Sequence, residues 1–306
     1  MGKSENEGLP QWSDQDIARP LGPRRTGRTD IGGGSWRHQT RPGTRPGRAA
    51  SFVLLVTAMV GLTSTAASAD VAPPGTPTAV ATGSVRTAGP LFFGDLAGGH
   101  GCSASVVHSL RHNLVLTSAH CVSGTGAGIR FAPGYINGTT PWGVWTSTRV
   151  WLDPSWISSQ DPQHDYAFLQ IAPQRIDGRV VNVEDVAGAN RLGFAPRWGT
   201  TVTDPAYPAG VNDAPITCTT KIIYTSGYPT FNCYGYFDGT SGSPFLLARH
   251  GRPTLVVGVI GGLHQGGCYD WNSFSSAFGL DSYRTYLRAL LGRAADIAPM
   301  PGGDGC

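Results

Sequence analysis

The 306-residue sequence contains only two lysines, Lys3 and Lys221, and its longest apolar run, over 51–62, is about a dozen residues. A helix needs roughly 20 apolar residues to cross a bilayer, so this run is too short to span a membrane. The sequence also lacks CxxC pairs and an HExxH motif, the patterns typical of zinc sites. We therefore expect neither a metal nor an organic cofactor.

The sequence from Asp70 onward has no run of basic residues, although the whole chain carries a formal charge of +3. In this part 14 basic residues face 15 acidic residues, so the positive charge belongs to the amino-terminal region. A nucleic-acid-binding domain normally presents clustered Lys and Arg. We therefore expect no nucleic acid as a partner.

The first 69 residues have the pattern of an exported protein. Residues 1–50 are polar and rich in Gly, Pro and Arg, and we predict that they are disordered. The apolar run 51–62 and the small residues Ala67-Ser68-Ala69 complete a secretory signal with cleavage after Ala69. The alternatives for the apolar run are a buried core helix and a membrane anchor. We predict a secreted, extracellular protein, with 70–90 as a flexible pro-segment or linker and no membrane contact after signal cleavage.

All six cysteines follow the predicted cleavage site, which predicts disulfides in an exported chain. Cys102 and Cys121 bracket a predicted hairpin, and Cys218 and Cys233 would close a short loop. Cys268 and Cys306 are then left over. Their pairing would tie down the carboxyl-terminal tail, but the sequence alone leaves it open.

Short predicted strands broken by Gly, Pro and Asn dominate the chain from about 92 to 293, which indicates an all-β protein. The length is large for one small barrel. We predict two β-barrels, the first over 91–180 and the second over 181–295. The second part includes one amphipathic helix, with Tyr283, Tyr286 and Leu290 on its apolar face, and 296–306 form a tail.

The turn Gly239-Thr240-Ser241-Gly242-Ser243-Pro244 precedes an apolar strand and exposes a serine hydroxyl. We predict Ser241 as a nucleophile, with the backbone N–H groups of Gly239 and Ser241 as an oxyanion hole. An ordinary Gly-Ser loop is the alternative.

A serine nucleophile needs a base and an anion that orients the base. His120 follows an apolar strand and adjoins a cysteine, and Asp165 immediately precedes an apolar run. We predict His120 as the base and Asp165 as its partner. A surface histidine and a turn aspartate are the alternatives, and Asp161 is a weaker candidate than Asp165. The chain order His, Asp, Ser is a known order for a hydrolytic triad.

The segments T-S-A-H-C (117–121), D-Y-A-F-L (165–169) and G-T-S-G-S-P (239–244) resemble the signature blocks of chymotrypsin-like (trypsin-fold) serine proteases. The resemblance covers roughly 90–293. It implies two packed six-stranded antiparallel β-barrels with a carboxyl-terminal helix, and a cleft between them that holds the active site. It also implies a serine endopeptidase that acts on polypeptides, and we expect a monomer.

Several positions depart from animal trypsins. Thr240 replaces the aspartate that precedes the nucleophile there, and no I-V-G-G start is present. Gly235 stands where trypsins carry the aspartate of the specificity pocket. The segment Gly262-Leu263-His264-Gln265-Gly266-Gly267 is similar to one in bacterial glutamyl endopeptidases. The resemblance therefore implies substrate-binding roles for Gly235, Gly262 and His264, and an acidic P1 residue in the substrate.

Two rival functions remain. A non-catalytic binding module could use the same fold, but such modules usually lose a triad residue. An esterase of the G-x-S-x-G type is the other rival, and here Ser243 occupies the final glycine position.

Overall fold

Short strands and turns dominate residues 71–306, the part of the chain that the computed structural model describes. The predicted signal peptide and the region before it lie outside the described residues. Within 71–306 no helix has both the length and the apolar character that crossing a membrane requires. The strands are β1 (Val80–Ala81), β2 (Ala88–Phe92), β3 (Cys102–Val107), β4 (Leu114–Thr117), β5 (Arg130–Phe131), β6 (Trp145–Leu152), β7 (Ala167–Ile171), β8 (Gln174–Ile176), β9 (Arg179–Val181), β10 (Arg191–Leu192), β11 (Thr201–Ala206), β12 (Ile216–Lys221), β13 (Ile223–Thr225), β14 (Tyr228–Asn232), β15 (Pro244–Arg249), β16 (Arg252–Val259) and β17 (Asn272–Phe274). The helices are α1 (Pro154–Ser159), α2 (Val183–Ala187) and α3 (Leu280–Leu290).

The first half is a closed antiparallel barrel of six strands in the order β2-β3-β4-β7-β6-β5. Strands β4 and β7 are buried on both faces, which explains their nearly unbroken apolar sequences. Val115 and Leu169 point into the barrel core, whereas Leu116 and Phe168 belong to a second cluster shared with Val256 of β16. Alternate side chains of a strand point to opposite faces, so these two strands join the two halves.

The second half contains an open six-stranded sheet in the order β1-β12-β11-β15-β16-β10 and a three-stranded sheet in the order β13-β14-β17. Phe231 and Phe245 pack in the core between them, with ring centroids 5.0 Å apart. The β10–β16 pair is parallel, and the other pairs in these two sheets are antiparallel. The prediction of an all-β, trypsin-like fold with a carboxyl-terminal helix is confirmed. Hydrogen bonding in the second half is divided between two sheets instead of forming one closed ring.

Part of the predicted linker 70–90 takes part in the fold. Val80 pairs with Thr217 of β12, Ala79 N donates to Tyr234 O (2.8 Å), and β2 already begins at Ala88. The sequence pattern missed this strand because Val80 is 62% exposed, so the strand has no apolar alternation that marks it. Removal of this segment during maturation stays a prediction.

Helix α3 forms close to the predicted position and begins after Gly279, where the Ser282 hydroxyl bonds the Gly279 N–H (3.0 Å). We expected it to pack on the second barrel. It lies against β6 and β7 of the first barrel, where Tyr286 contacts Phe168 with ring centroids 5.6 Å apart, and the same buried cluster includes Val256 of the second half. The carboxyl-terminal chain is thereby directed toward the first half.

Asp204 of β11 connects this strand to the serine turn through a buried carboxyl group. Its Oδ1 accepts a hydrogen bond from the Ser243 hydroxyl (2.7 Å), and its backbone oxygen accepts one from the Tyr236 hydroxyl (2.7 Å). Its Oδ2 has no partner within residues 71–306. Burial raises the pKa of Asp204 well above its ordinary value of 3.8.

The raised pKa of Asp204 predicts a pH-dependent stability. Between pH 3.8 and the folded-state pKa, the carboxyl is protonated in the folded chain and ionised in the unfolded chain. Stability therefore falls as pH rises through this range, with a limiting slope of about 1.4 kcal/mol per pH unit.

Asp204→Asn keeps an acceptor for Ser243 and removes the titration. Urea unfolding from about pH 4 to 8, in a Ser241→Ala background, should show the parent losing stability relative to the Asn variant as pH rises. A difference that does not change with pH would contradict the assignment.

Candidate active site

The serine turn is held against the first barrel by close backbone contacts. Ser103 N donates to Ser241 O (2.7 Å), and Gly242 N donates to Ile260 O (2.7 Å). Gly242 has a φ of 82°, and a Cβ atom there would lie 2.1 Å from Thr117 Oγ1. Only glycine fits this position without a shift of its neighbours. The turn therefore fixes Ser241 at the junction of the two halves.

Two backbone N–H groups of the turn, those of Gly239 and Ser241, donate to no acceptor within residues 71–306. The N–H groups between and after them, of Thr240 and Gly242, are both bonded. Asp238 O accepts a hydrogen bond from Ala209 N (2.6 Å). In a trans peptide the C=O and the N–H of the next residue point in opposite directions, so the Gly239 N–H points away from Ala209. These two N–H groups are the pair that the sequence predicted as an oxyanion hole.

Asp165 is completely buried and holds His120 in one orientation. Its Oδ2 lies 2.7 Å from His120 Nδ1 and accepts a hydrogen bond from Gly262 N (2.8 Å). Its Oδ1 accepts from the N–H groups of Ala119 (2.8 Å) and His120 (3.0 Å). This arrangement requires the proton on Nδ1 when the imidazole is neutral, so Nε2 is free to accept a proton.

His120 and Ser241 line one cavity of about 750 Å³ between the two halves, and Gly239 lies beside Ser241 in its wall. The His120 side chain is 9% exposed. Ser241 Oγ makes no hydrogen bond within residues 71–306, including none to His120. Catalytic hydrogen bonds are often long before substrate binds, so shared access to one cavity is the relevant geometry.

The three predicted substrate-binding residues take different positions. His264 lines the cavity, and its Nδ1 lies 3.1 Å from the backbone oxygen of Asp304. Gly262 bonds the Asp165 carboxylate through its N–H and does not belong to the cavity wall. Gly235 is also outside the wall, and a Cβ added there would meet only Ala79 within 4 Å.

Two parts of the cavity wall were missed by sequence reasoning. Ile260 lines the cavity directly after β16, and its N–H donates to Ser243 O (3.0 Å). Met300, Pro301 and Asp304 of the tail also line it. The leftover cysteines were a signal for the position of the tail. Cys268 follows closely after His264, so a Cys268–Cys306 disulfide would bring the end of the chain close to that residue.

Three disulfides are present: Cys102–Cys121, Cys218–Cys233 and Cys268–Cys306. His264 lies close to the last pair, and these three residues form a group whose side-chain atoms are near enough to share a metal. The two cysteines are bonded to each other, so neither offers a thiolate. The donor set therefore does not fit a metal ion.

Comparison with known proteins identifies the family. The family model described as Trypsin matches residues 76–282, which is more than half of the chain. The chain belongs to the trypsin family. No curated protein sequence matches it.

Solved structures with the same fold include several serine proteases. The protease Anisep from Arthrobacter nicotinovorans is 24% identical with a TM-score of 0.57, and the match covers 69% of this chain and 98% of that one. A thermostable serine protease, AL20, from an extremophilic microorganism is 25% identical with a TM-score of 0.55, covering 68% and 98%. A Glu endopeptidase (18%, TM-score 0.52, covering 70% and 98%) and human heparin binding protein (14%, TM-score 0.52, covering 74% and 100%) share the fold.

The Asp165 geometry predicts the effect of one amide substitution. Asp165→Asn would place an NH₂ group where the carboxylate now accepts hydrogen bonds, and it would favour the wrong tautomer of His120. We expect kcat for a peptide substrate to fall by about 10⁴-fold with little change in KM. Asp161→Asn is the matched control, because an Asn side chain still accepts from Gln163 N. Equal activity losses in the two variants would contradict the assignment.

The geometry of Gly239 predicts a loss of transition-state binding. Gly239 has a φ of 92°, and an alanine Cβ would lie 2.1 Å from Ala209 N, so this part of the turn must move. We expect Gly239→Ala to lower kcat by about 100-fold or more, because one oxyanion donor is displaced. Gly251→Ala tests strain alone, since Gly251 also has a positive φ and no atom within 4 Å of the added Cβ. A fall in kcat as large in Gly251→Ala would rule out the oxyanion explanation.

Proposed function

We propose that this trypsin-family chain is a secreted serine endopeptidase with a Ser241–His120–Asp165 triad. The observation that carries the proposal is the Asp165 carboxylate, which accepts three backbone hydrogen bonds and orients His120 in the cavity that Ser241 also lines. Each of these donors compensates the buried carboxyl group for lost hydration. Such a site is suited to stabilising an imidazolium.

The arrangement supports a two-step hydrolysis through an acyl-enzyme. Ser241 Oγ attacks the scissile carbonyl carbon, and His120 Nε2 accepts the hydroxyl proton. The negative oxygen is stabilised by the N–H groups of Gly239 and Ser241. His120 then donates the proton to the leaving amine, and a water molecule, deprotonated by His120, releases the acid product.

Export and disulfide bonding are consistent with each other in this proposal. The predicted signal sequence directs the chain out of the cell, where the oxidising environment keeps the three cystines intact. The expected substrates are polypeptides, and the proposed chemistry needs no cofactor.

An acidic P1 preference rests on His264 alone. Three carboxylates line the same cavity (Asp238, Asp270 and Asp304), and within residues 71–306 no Lys or Arg lines it. These charges favour a basic substrate side chain over an acidic one. The Gly262–Gly267 motif favours an acidic P1 residue, but the negative charge of the cavity disfavours one.

The proposal predicts covalent labelling of one serine. A fluorophosphonate reacts with a serine only when a base and an oxyanion hole activate it. We expect stoichiometric labelling of the purified secreted protein, with the label on the peptide that contains Ser241. Peptide mapping by mass spectrometry locates the modification.

Two variants control the labelling experiment. Ser241→Ala should not react, and Ser243→Ala should still react, because Ser243 is buried and bonded to Asp204. If the folded, processed protein fails to react while a known serine protease reacts beside it, the protease proposal is wrong. The binding-module alternative would then be favoured.

A further inference from the structure

The last eight residues, 299–306, contribute Met300, Pro301 and Asp304 to the wall of the active-site cavity, and we call them the C-terminal strap. The chain reaches this position through Asp296, whose carboxylate pairs with Arg288 (2.6 Å) and accepts from Leu152 N (2.9 Å). Ala298 then exchanges two backbone hydrogen bonds with Gly124 of the first half (2.7 and 2.9 Å). Gly124 follows the His120–Cys121 segment, so the strap begins next to the proposed base.

The strap is bonded to both halves of the molecule. The Gln160 side chain, in the first half, accepts from Gly302 N (2.7 Å) and donates to Met300 O (2.9 Å). From the second half, Gln265 Nε2 donates to Gly302 O (2.8 Å). The Cys268–Cys306 disulfide then fixes the end of the chain. A segment held at so many points is a fixed wall of the cavity and not a loose tail.

The strap adds an unpaired negative charge and an exposed apolar side chain to this wall. Asp304 lines the cavity, is exposed, and forms no ion pair within residues 71–306. Met300 lines the cavity and is 74% exposed. Asp238 and Asp270 line it as well and are also without ion pairs in the described chain. A long basic side chain offers both an apolar stem and a cationic end.

We propose that the C-terminal strap is a specificity-determining wall of the substrate cleft, in which Asp304 selects basic substrate side chains. This inference rests on the proposed function and adds a substrate class to it. The strap sets the distance between Asp304 and the substrate because the disulfide and the Gln160 hydrogen bonds fix it. Arg or Lys bound beside the strap gains a carboxylate partner, whereas Glu or Asp meets a like charge.

The first experiment removes only the charge of Asp304. The Asp304 Oδ1 atom accepts from Cys306 N (3.0 Å), and an Asn side chain keeps this acceptor. Digestion of a peptide library gives kcat/KM for basic and for acidic peptides. We expect Asp304→Asn to lower the ratio of these two values by about two- to fivefold, which is the effect of one exposed ion pair. The loss should shrink in 1 M salt, where charges are screened within about 3 Å.

Asp177→Asn is the matched control for the charge. Asp177 lies in the turn between β8 and β9, away from the cavity wall, and its φ of 49° is one that asparagine tolerates. It removes the same unit of charge from the chain without changing the cavity. An equal change of preference in both variants, or no change in Asp304→Asn, would overturn the proposal.

The second experiment releases the strap. The double variant Cys268→Ser, Cys306→Ser removes its covalent anchor and leaves the triad unchanged. We expect the variant to lose part of the preference that Asp304→Asn loses, because the disulfide holds the end of the chain that carries Asp304. Fluorophosphonate labelling of Ser241 in the same variant shows that the site is still assembled. A parental preference in this variant would contradict the statement that the disulfide sets the position of Asp304.

Labelling of Ser241 separates the two proposals. If the parent neither reacts with fluorophosphonate nor hydrolyses any peptide, the proposed function fails. If it reacts and hydrolyses peptides, but its preference is the same in all variants, only the role of the strap is wrong.

Discussion

The buried Asp165 carboxylate is the interaction on which the active-site arrangement depends. A carboxylate without solvent contact is stable in a fold only if donors replace the lost hydration. Ala119 and His120 donate from the first half, and Gly262 donates from the second. The hydroxyl of Ser276, also from the second half, accepts from the Asp165 N–H. Assembly of the cleft and orientation of the proposed base therefore result from the same hydrogen bonds.

The serine turn is held in place by close packing of its backbone and not by charge. Gly239 and Gly242 lie where any Cβ would collide with neighbouring backbone or with Thr117. Thr240 replaces the aspartate that animal trypsins place before the nucleophile. Here a carboxyl on another strand, that of Asp204, bonds the turn through Ser243. Burial raises the pKa of this carboxyl group, which favours its neutral form over an ion pair.

The carboxyl-terminal tail shows how a segment outside the barrels completes the cavity. Helix α3 directs the chain to the first half, and a disulfide returns it to the second. The family match ends at residue 282, so the strap lies beyond the part that the chain shares with the family model. Substrate selection can therefore change through the tail while the barrels and the triad stay the same.

The sequence by itself indicated the all-β class, the pairs Cys102–Cys121 and Cys218–Cys233, and the residues of the candidate triad, because strand length, turn glycines and residue types are local signals. The pairing of Cys268 with Cys306 was left open until the tertiary structure brought the two residues together. The sequence did not reveal that Gly262 serves Asp165, that Ile260 lines the cavity, or that Val80 pairs with Thr217. These contacts join residues that are distant along the chain and depend on how the halves pack. The position of His264 was decided in the same way, since the strap whose Asp304 oxygen lies beside its Nδ1 ends at Cys306, 38 residues from Cys268.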